Sequence, residues 1–147
     1  MSADPQVAPD ALGELRFHHL GFATQSCERE AETLALLGYA PEGEAFIDPV
    51  QEIRGLFLVG GGPRIELLEP LRGAKTLDPW LRKGIKIYHH AYETPTIDES
   101  IVRAREAGAR LVSGPREAVA FDHMRVAFLM LPSMYMFELV DTAGRGE

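Results

Sequence analysis

The chain has 147 residues, 46% hydrophobic and 25% charged, with a formal net charge of −7, a length that fits one domain or two small halves sharing a core. The acidic balance, without any basic run, speaks against a nucleic-acid partner, because phosphate binding needs a basic face, and no apolar stretch approaches the ~20 residues of a membrane helix. Cys27 is the only cysteine, which excludes an intrachain disulfide and a cysteine-based zinc cluster and fits a reducing compartment.

In chain order, residues 1–14 read as a flexible, polar N-terminal tail without the apolar core of a signal peptide, so the expected location is cytoplasmic. Residues 15–23 alternate, with Phe17, Leu20 and Phe22, and predict a strand. Ser26 is placed to cap a helix over 27–37, with Glu28 and Glu30 in its first turn, an apolar face of Leu34, Leu36 and Leu37, and Gly38 as its stop. Strands are expected at 39–47, 52–59 and 63–69. The run Gly60-Gly61-Gly62-Pro63 has no lysine or helix start behind it, so it reads as a hairpin turn and not a phosphate loop. Residues 77–83 predict a short connecting helix with Trp80 and Leu81 facing inward. A strand at 85–93 and a helix at 97–107, closed by Gly108, follow. The last strands are expected at 109–113, 124–131 and 134–141, with a longer loop opening at Gly114-Pro115.

The order strand, helix, strand, strand, strand thus occurs twice. A first module spans 15–72, a connecting segment 73–84, a second module 85–142 and a C-terminal tail 143–147. The chemistry repeats with the fold. Four of the five histidines form two doublets, His18-His19 and His89-His90, 71 residues apart. A glutamate in an apolar strand follows each doublet, Glu66 in Ile65-Glu-Leu-Leu-Glu69 and Glu138 in Phe137-Glu-Leu-Val-Asp141, at an offset of 72. The helix-closing Gly38 and Gly108 differ by 70. Three landmarks sharing nearly one spacing point to a duplicated unit.

Neighbouring residues on a strand point to opposite faces, so one histidine of each doublet can enter a given cavity. Matched position for position, the doublets turn both first or both second histidines inward; alternation does not choose between them. A carboxylate inside an apolar strand is costly to bury unless it is paired or coordinated. Two such glutamates matched to two repeated histidines predict one divalent metal ion, with imidazole and carboxylate donors suiting zinc, cobalt, nickel, manganese or iron.

The segments Phe17-His-His-Leu-Gly-Phe-Ala23, Arg64-Ile-Glu-Leu-Leu-Glu-Pro-Leu71, Tyr88-His-His-Ala-Tyr-Glu93 and Phe137-Glu-Leu-Val140 resemble the vicinal oxygen chelate superfamily. That superfamily includes glyoxalase I, extradiol dioxygenases, fosfomycin and bleomycin resistance proteins and methylmalonyl-CoA epimerase; the epimerase branch is the nearest likeness. It covers about residues 15–141. The resemblance implies an α+β fold in which two tandem βαβββ modules form a curved, mostly antiparallel eight-stranded sheet around a metal-binding cavity. It also implies that the second histidine of each doublet is the ligand, giving the metal set His19, Glu66, His90 and Glu138. It further implies a homodimer that acts on a small-molecule substrate, an acyl-CoA thioester among the candidates. The activity expected is that of an isomerase, epimerase or lyase moving a proton next to a carbonyl.

In the epimerases a base glutamate precedes the third strand. Here Val50 falls at that position and Gln51 at the glutamine after it, so Asp48 and Glu52 are the nearest carboxylates to stand in. Glu138 and the loop residue His123 complete the catalytic candidates; Tyr88, Tyr92 and Gln51 are the substrate-binding ones, and Met134 and Met136 are further candidates to line the cavity. Two other readings belong to the same fold: an Fe(II) dioxygenase, and a non-catalytic drug-binding resistance protein.

Overall fold

A computed structural model describes residues 11–143 of the chain. The elements are β1 (Arg16–Ala23), α1 (Cys27–Leu34), β2 (Ala40–Asp48), β3 (Ile53–Val59), β4 (Ile65–Pro70), α2 (Asp78–Lys83), β5 (Ile87–Thr94), α3 (Ile97–Glu106), β6 (Arg110–Glu117), β7 (Arg125–Met130) and β8 (Met136–Asp141). All eight strands form one curved sheet in the order β2-β3-β4-β1-β5-β8-β7-β6. The fold is α+β, and strand, helix, three strands occurs twice in succession. Within each half the first strand pairs in parallel with the last, β1 with β4 and β5 with β8; every other pairing is antiparallel. The halves meet where β1 and β5 pair, so one chain supplies both sides of the central seam.

Alternation sorts the sheet into two faces. Phe22, Ile65 and Leu67 pack with Cys27 and Leu34 under α1. Ala127, Leu129, Phe137 and Leu139 pack with Ile97, Ile101 and Ala104 under α3. On the opposite face, Ala23, Ile53 and Leu68 pack with Leu77 and Trp80 around α2, while Val126 and Val140 pack with Ala118 and Phe121. The concave side lies between these two smaller clusters.

Some sequence expectations change. Helix α1 stops at Leu34, and its last turn tightens into a 3₁₀ turn over Ala35–Leu37 before Gly38 at φ 96°. This carries Leu36 and Leu37 into solvent, so only Leu34 of the expected apolar trio packs inward. Gly114 and Pro115 do not open a loop; they lie inside β6, where the register with β7 shifts between Ser113 and Arg116. Residues 11–14, expected in the tail, lie against α3, where the Leu12 carbonyl accepts from Ser100 Oγ at 2.6 Å and the Ala11 carbonyl accepts from Arg103. The rest of that tail and residues 144–147 are outside the described residues. Among those described, no helix is long and apolar enough to cross a membrane.

Candidate metal centre

Two irregularities at the central seam decide which side chains meet. Phe17 pairs with Tyr92 and His19 with Ala91, so His18 is an extra residue on β1. Gly21 pairs with His89 and Phe22 with Ile87, so Tyr88 is an extra residue on β5. A bulge lets two consecutive side chains share a side of the sheet. His18 joins His19 on the concave side, and Tyr88 joins His89 there. His90, next along β5, is turned to the other side.

Strands β4 and β8 flank the seam. Glu66 stands beside Gly21, and Glu138 beside Ala91. The result is a four-residue cluster of His19, Glu66, His89 and Glu138, whose ligand atoms all lie within 4.8 Å of one another. All four are buried, at 0%, 5%, 1% and 2% exposure. His19 Nε2 lies 3.0 Å from Glu66 Oε1 and 3.3 Å from Glu138 Oε1, and His89 Nε2 lies 3.2 Å from the same Glu138 oxygen.

The electrostatics follow. Burial works against a charge on His19, but Glu66 and Glu138 outweigh it and raise its pKa to about 9. Burial likewise opposes the Glu138 carboxylate, yet His19 and His89 hold its pKa down at about 2. His18 goes the other way: burial and the neighbouring His19 lower it to about 4, which leaves it neutral. Its Nδ1 lies 2.8 Å from His19 Nδ1.

A cation fits this donor set on a direct structural test. His19 Nε2, His89 Nε2 and Glu138 Oε1 are fully buried yet lack a well-formed hydrogen bond, and orphaned buried polar atoms are rare and costly. Each points at the same centre. Two neutral imidazoles and two carboxylates would satisfy them all around one divalent ion, with net charge near zero.

The structure brings His19, Glu66 and Glu138 together but joins His89 to them in place of His90. His90 sits half-exposed on the far side, with its Nδ1 against the Tyr135 hydroxyl and its ring stacked on Tyr92 at 6.4 Å. A cavity of about 360 Å³ opens beside the cluster. Glu66, Glu138, Tyr88, Gln51, Glu52 and Phe121 are among the residues lining it. Tyr88 lies in it with its ring 4.5 Å from that of Trp80; burial, then Glu66 and Glu138, push its phenol pKa well above the ordinary range.

Of the other candidates, Tyr92 packs toward α3, away from the cavity. His123 is an exposed loop residue at φ 65°, 3.8 Å from Glu117 and not in the cavity wall. Met136 lines the cavity, whereas Met134 is in solvent. Asp48 is buried, but its carboxylate is fully engaged. One oxygen accepts from Val50 N at 3.0 Å and Gln51 N at 3.1 Å; the other accepts from Gln51 Nε2 at 2.9 Å and Val119 N at 3.2 Å. That set of bonds makes it a latch between the modules and not a free base. Outside the cluster, Glu52 is the only carboxylate lining the cavity among the described residues; its backbone adopts φ 61° in the turn before β3.

With this fold and this site, the chain belongs to the glyoxalase/bleomycin resistance protein/dioxygenase superfamily, whose family model matches residues 18–128. Several solved structures share the fold. A hypothetical protein from Bacillus halodurans C-125 is 25% identical, with a TM-score of 0.74 over 91% of this chain and 99% of its own. A substituted form of Streptomyces coelicolor methylmalonyl-CoA epimerase, in complex with 2-nitronate-propionyl-CoA, is 25% identical, with a TM-score of 0.72 over 90% of this chain and 97% of its own. The methylmalonyl-CoA epimerase from Mycobacterium tuberculosis is 24% identical, with a TM-score of 0.73 over 92% of this chain and 91% of its own. No curated protein matches the sequence.

Proposed function

We propose that this protein is a divalent-metal-dependent enzyme that moves a proton at the carbon next to a carbonyl of a small molecule, with acyl-CoA thioesters as the first substrate class to test. One observation carries the reading: a buried cluster of two imidazoles and two carboxylates with unsatisfied donor atoms borders a cavity that also contains a separate carboxylate. His19, Glu66, His89 and Glu138 hold the metal. When bound there, a divalent ion supplies a Lewis acid for a substrate carbonyl oxygen and for negative charge developing beside it.

The chain's own residues do the rest. Glu52, at the cavity wall and free of the cluster, accepts the proton. Tyr88 and Gln51 face the same cavity and orient the substrate; the Gln51 amide is itself steadied by Asp48. Phe46, Leu68, Phe128 and Met136 make the remaining wall largely apolar. The acyl-CoA class is supported by likeness to epimerase structures, one of them solved with a CoA ligand. A homodimer rests on the family likeness alone, and a cytoplasmic location on the single buried cysteine.

Candidate acyl-CoAs incubated in deuterium oxide with protein and Co(II) or Zn(II) test this reading. Metal-dependent deuterium uptake at the α-carbon is expected for at least one; no uptake from any, with metal bound, removes the proton-transfer assignment.

A further inference from the structure

The two imidazoles of the cluster are not held alike. His89 Nδ1 is buried without a hydrogen-bond partner, and its neighbour Tyr88 touches it only edge to face, ring centroids 4.6 Å apart. His19 Nδ1, in contrast, meets His18 Nδ1 at 2.8 Å. His18 is there because it is the extra residue of the β1 bulge, and its ring packs edge-on against both Phe57 at 5.8 Å and Phe121 at 5.3 Å, which also contact each other. Its backbone carbonyl is fixed as well, accepting from Arg64 at 3.0 Å.

Two ring nitrogens at that distance share one proton, and its position decides what His19 can do. If His18 donated, His19 would carry its proton on Nε2 and present no lone pair to a metal. If His19 donates from Nδ1, its Nε2 lone pair faces Glu66 and Glu138. We propose that His18 is a positioning residue of the metal centre: it accepts the Nδ1 proton of His19 and so keeps His19 in the one tautomer and ring orientation that can bind a cation through Nε2. This rests on the metal reading above and adds an imidazole–imidazole pair where such a ligand more often meets a carboxylate or carbonyl.

Co(II) affinity, measured by competition with a chelator and by visible absorption of the bound ion, tests it in wild type, His18→Phe and His18→Asn. Phenylalanine keeps a ring packed against Phe57 and Phe121 but removes the acceptor; asparagine places an amide oxygen about where Nδ1 was. Expected is a loss of roughly 10- to 100-fold in His18→Phe, with folding checked by circular dichroism, and recovery of most of it in His18→Asn. A His18→Phe affinity equal to wild type, or His18→Asn as weak as His18→Phe, overturns the assignment while leaving the metal site intact. Wild-type protein that binds no Co(II) overturns the metal reading and this inference with it. Nitrogen-15 spectra of the Zn(II)-loaded wild type test the same proton without a variant: His18 must be protonated on Nε2 and bare on Nδ1, and a protonated His18 Nδ1 contradicts the proposal.

Discussion

The imidazole of His89 occupies the space that a side chain at Gly21 would fill: a Cβ at Gly21 would fall 1.9 Å from His89 Cε1. The two residues are cross-strand partners at the β1–β5 seam. Glycine is therefore required there for room, not for backbone freedom. Gly21→Ala must push the His89 ring out of the cluster or part the two strands. A loss of about 1–3 kcal/mol in stability is expected from overpacking, together with weaker Co(II) binding. Denaturant unfolding and metal titration of the same variant check both.

The cluster sets a pH dependence whose sign can be worked out. In metal-free protein the His19 pKa is about 9 against an ordinary 6.5. Its stabilising contribution is full below about 6.5 and is lost as pH rises through 9. Glu138 has a pKa of about 2 against an ordinary 4.5, so its contribution is full above 4.5 and is lost as pH falls through 2. Unfolding midpoints taken in chelator should therefore fall between pH 6.5 and 9, and should fall again in strong acid. A midpoint that rises steadily across the alkaline window would contradict the raised pKa of His19.

Metal must displace the same His19 proton, because only the neutral ring is a ligand. Between pH 7 and 8, binding should release close to one proton per ion, and apparent affinity should rise by up to about tenfold per pH unit. Calorimetry in buffers of different ionisation heat measures the release. A release of zero would mean that His19 is already neutral in the free protein.

Asp48 and Glu52 are four residues apart and should fail in opposite ways. Asp48→Ala strips the acceptor from three backbone N–H groups and the Gln51 amide, at a cost of about 3 kcal/mol. Glu52→Gln changes an exposed side chain, so stability should move by no more than about 0.5 kcal/mol, while proton exchange falls roughly 10²- to 10⁴-fold. Unfolding curves and deuterium exchange, run on both variants, separate the latch from the proposed base.

Most of the architecture is legible because it is written in apolar alternation and repeated in helix-closing glycines. Glu66 and Glu138 stand out as carboxylates in apolar strands, and both turn to the concave face as alternation requires. The histidines mislead because the doublets look alike and invite matching pair to pair. The true internal offset is 70, the spacing of Gly38 and Gly108. It sets His19-Leu-Gly-Phe-Ala-Thr24 against His89-His-Ala-Tyr-Glu-Thr94, aligning a small residue, an aromatic and a threonine after each histidine of the cluster. In that frame His18 answers to Tyr88, the other bulged residue, and His90 to Leu20. The bulges themselves have no signature in alternation, and they place two consecutive residues on one face where a regular strand would place one. Asp48 is equally unreadable, since its partner Val119 lies 71 residues away. The one-residue slip that selects His90 also sends Tyr92 to the cavity.

Metal content decides the central claim. Purified His89→Ala and His90→Ala proteins, each dialysed against Co(II) and assayed for bound ion, should differ sharply. The cluster of His19, Glu66, His89 and Glu138 predicts that His89→Ala loses the ion while His90→Ala keeps it at one per chain. Retention in His89→Ala, or loss in His90→Ala alone, would contradict the ligand set.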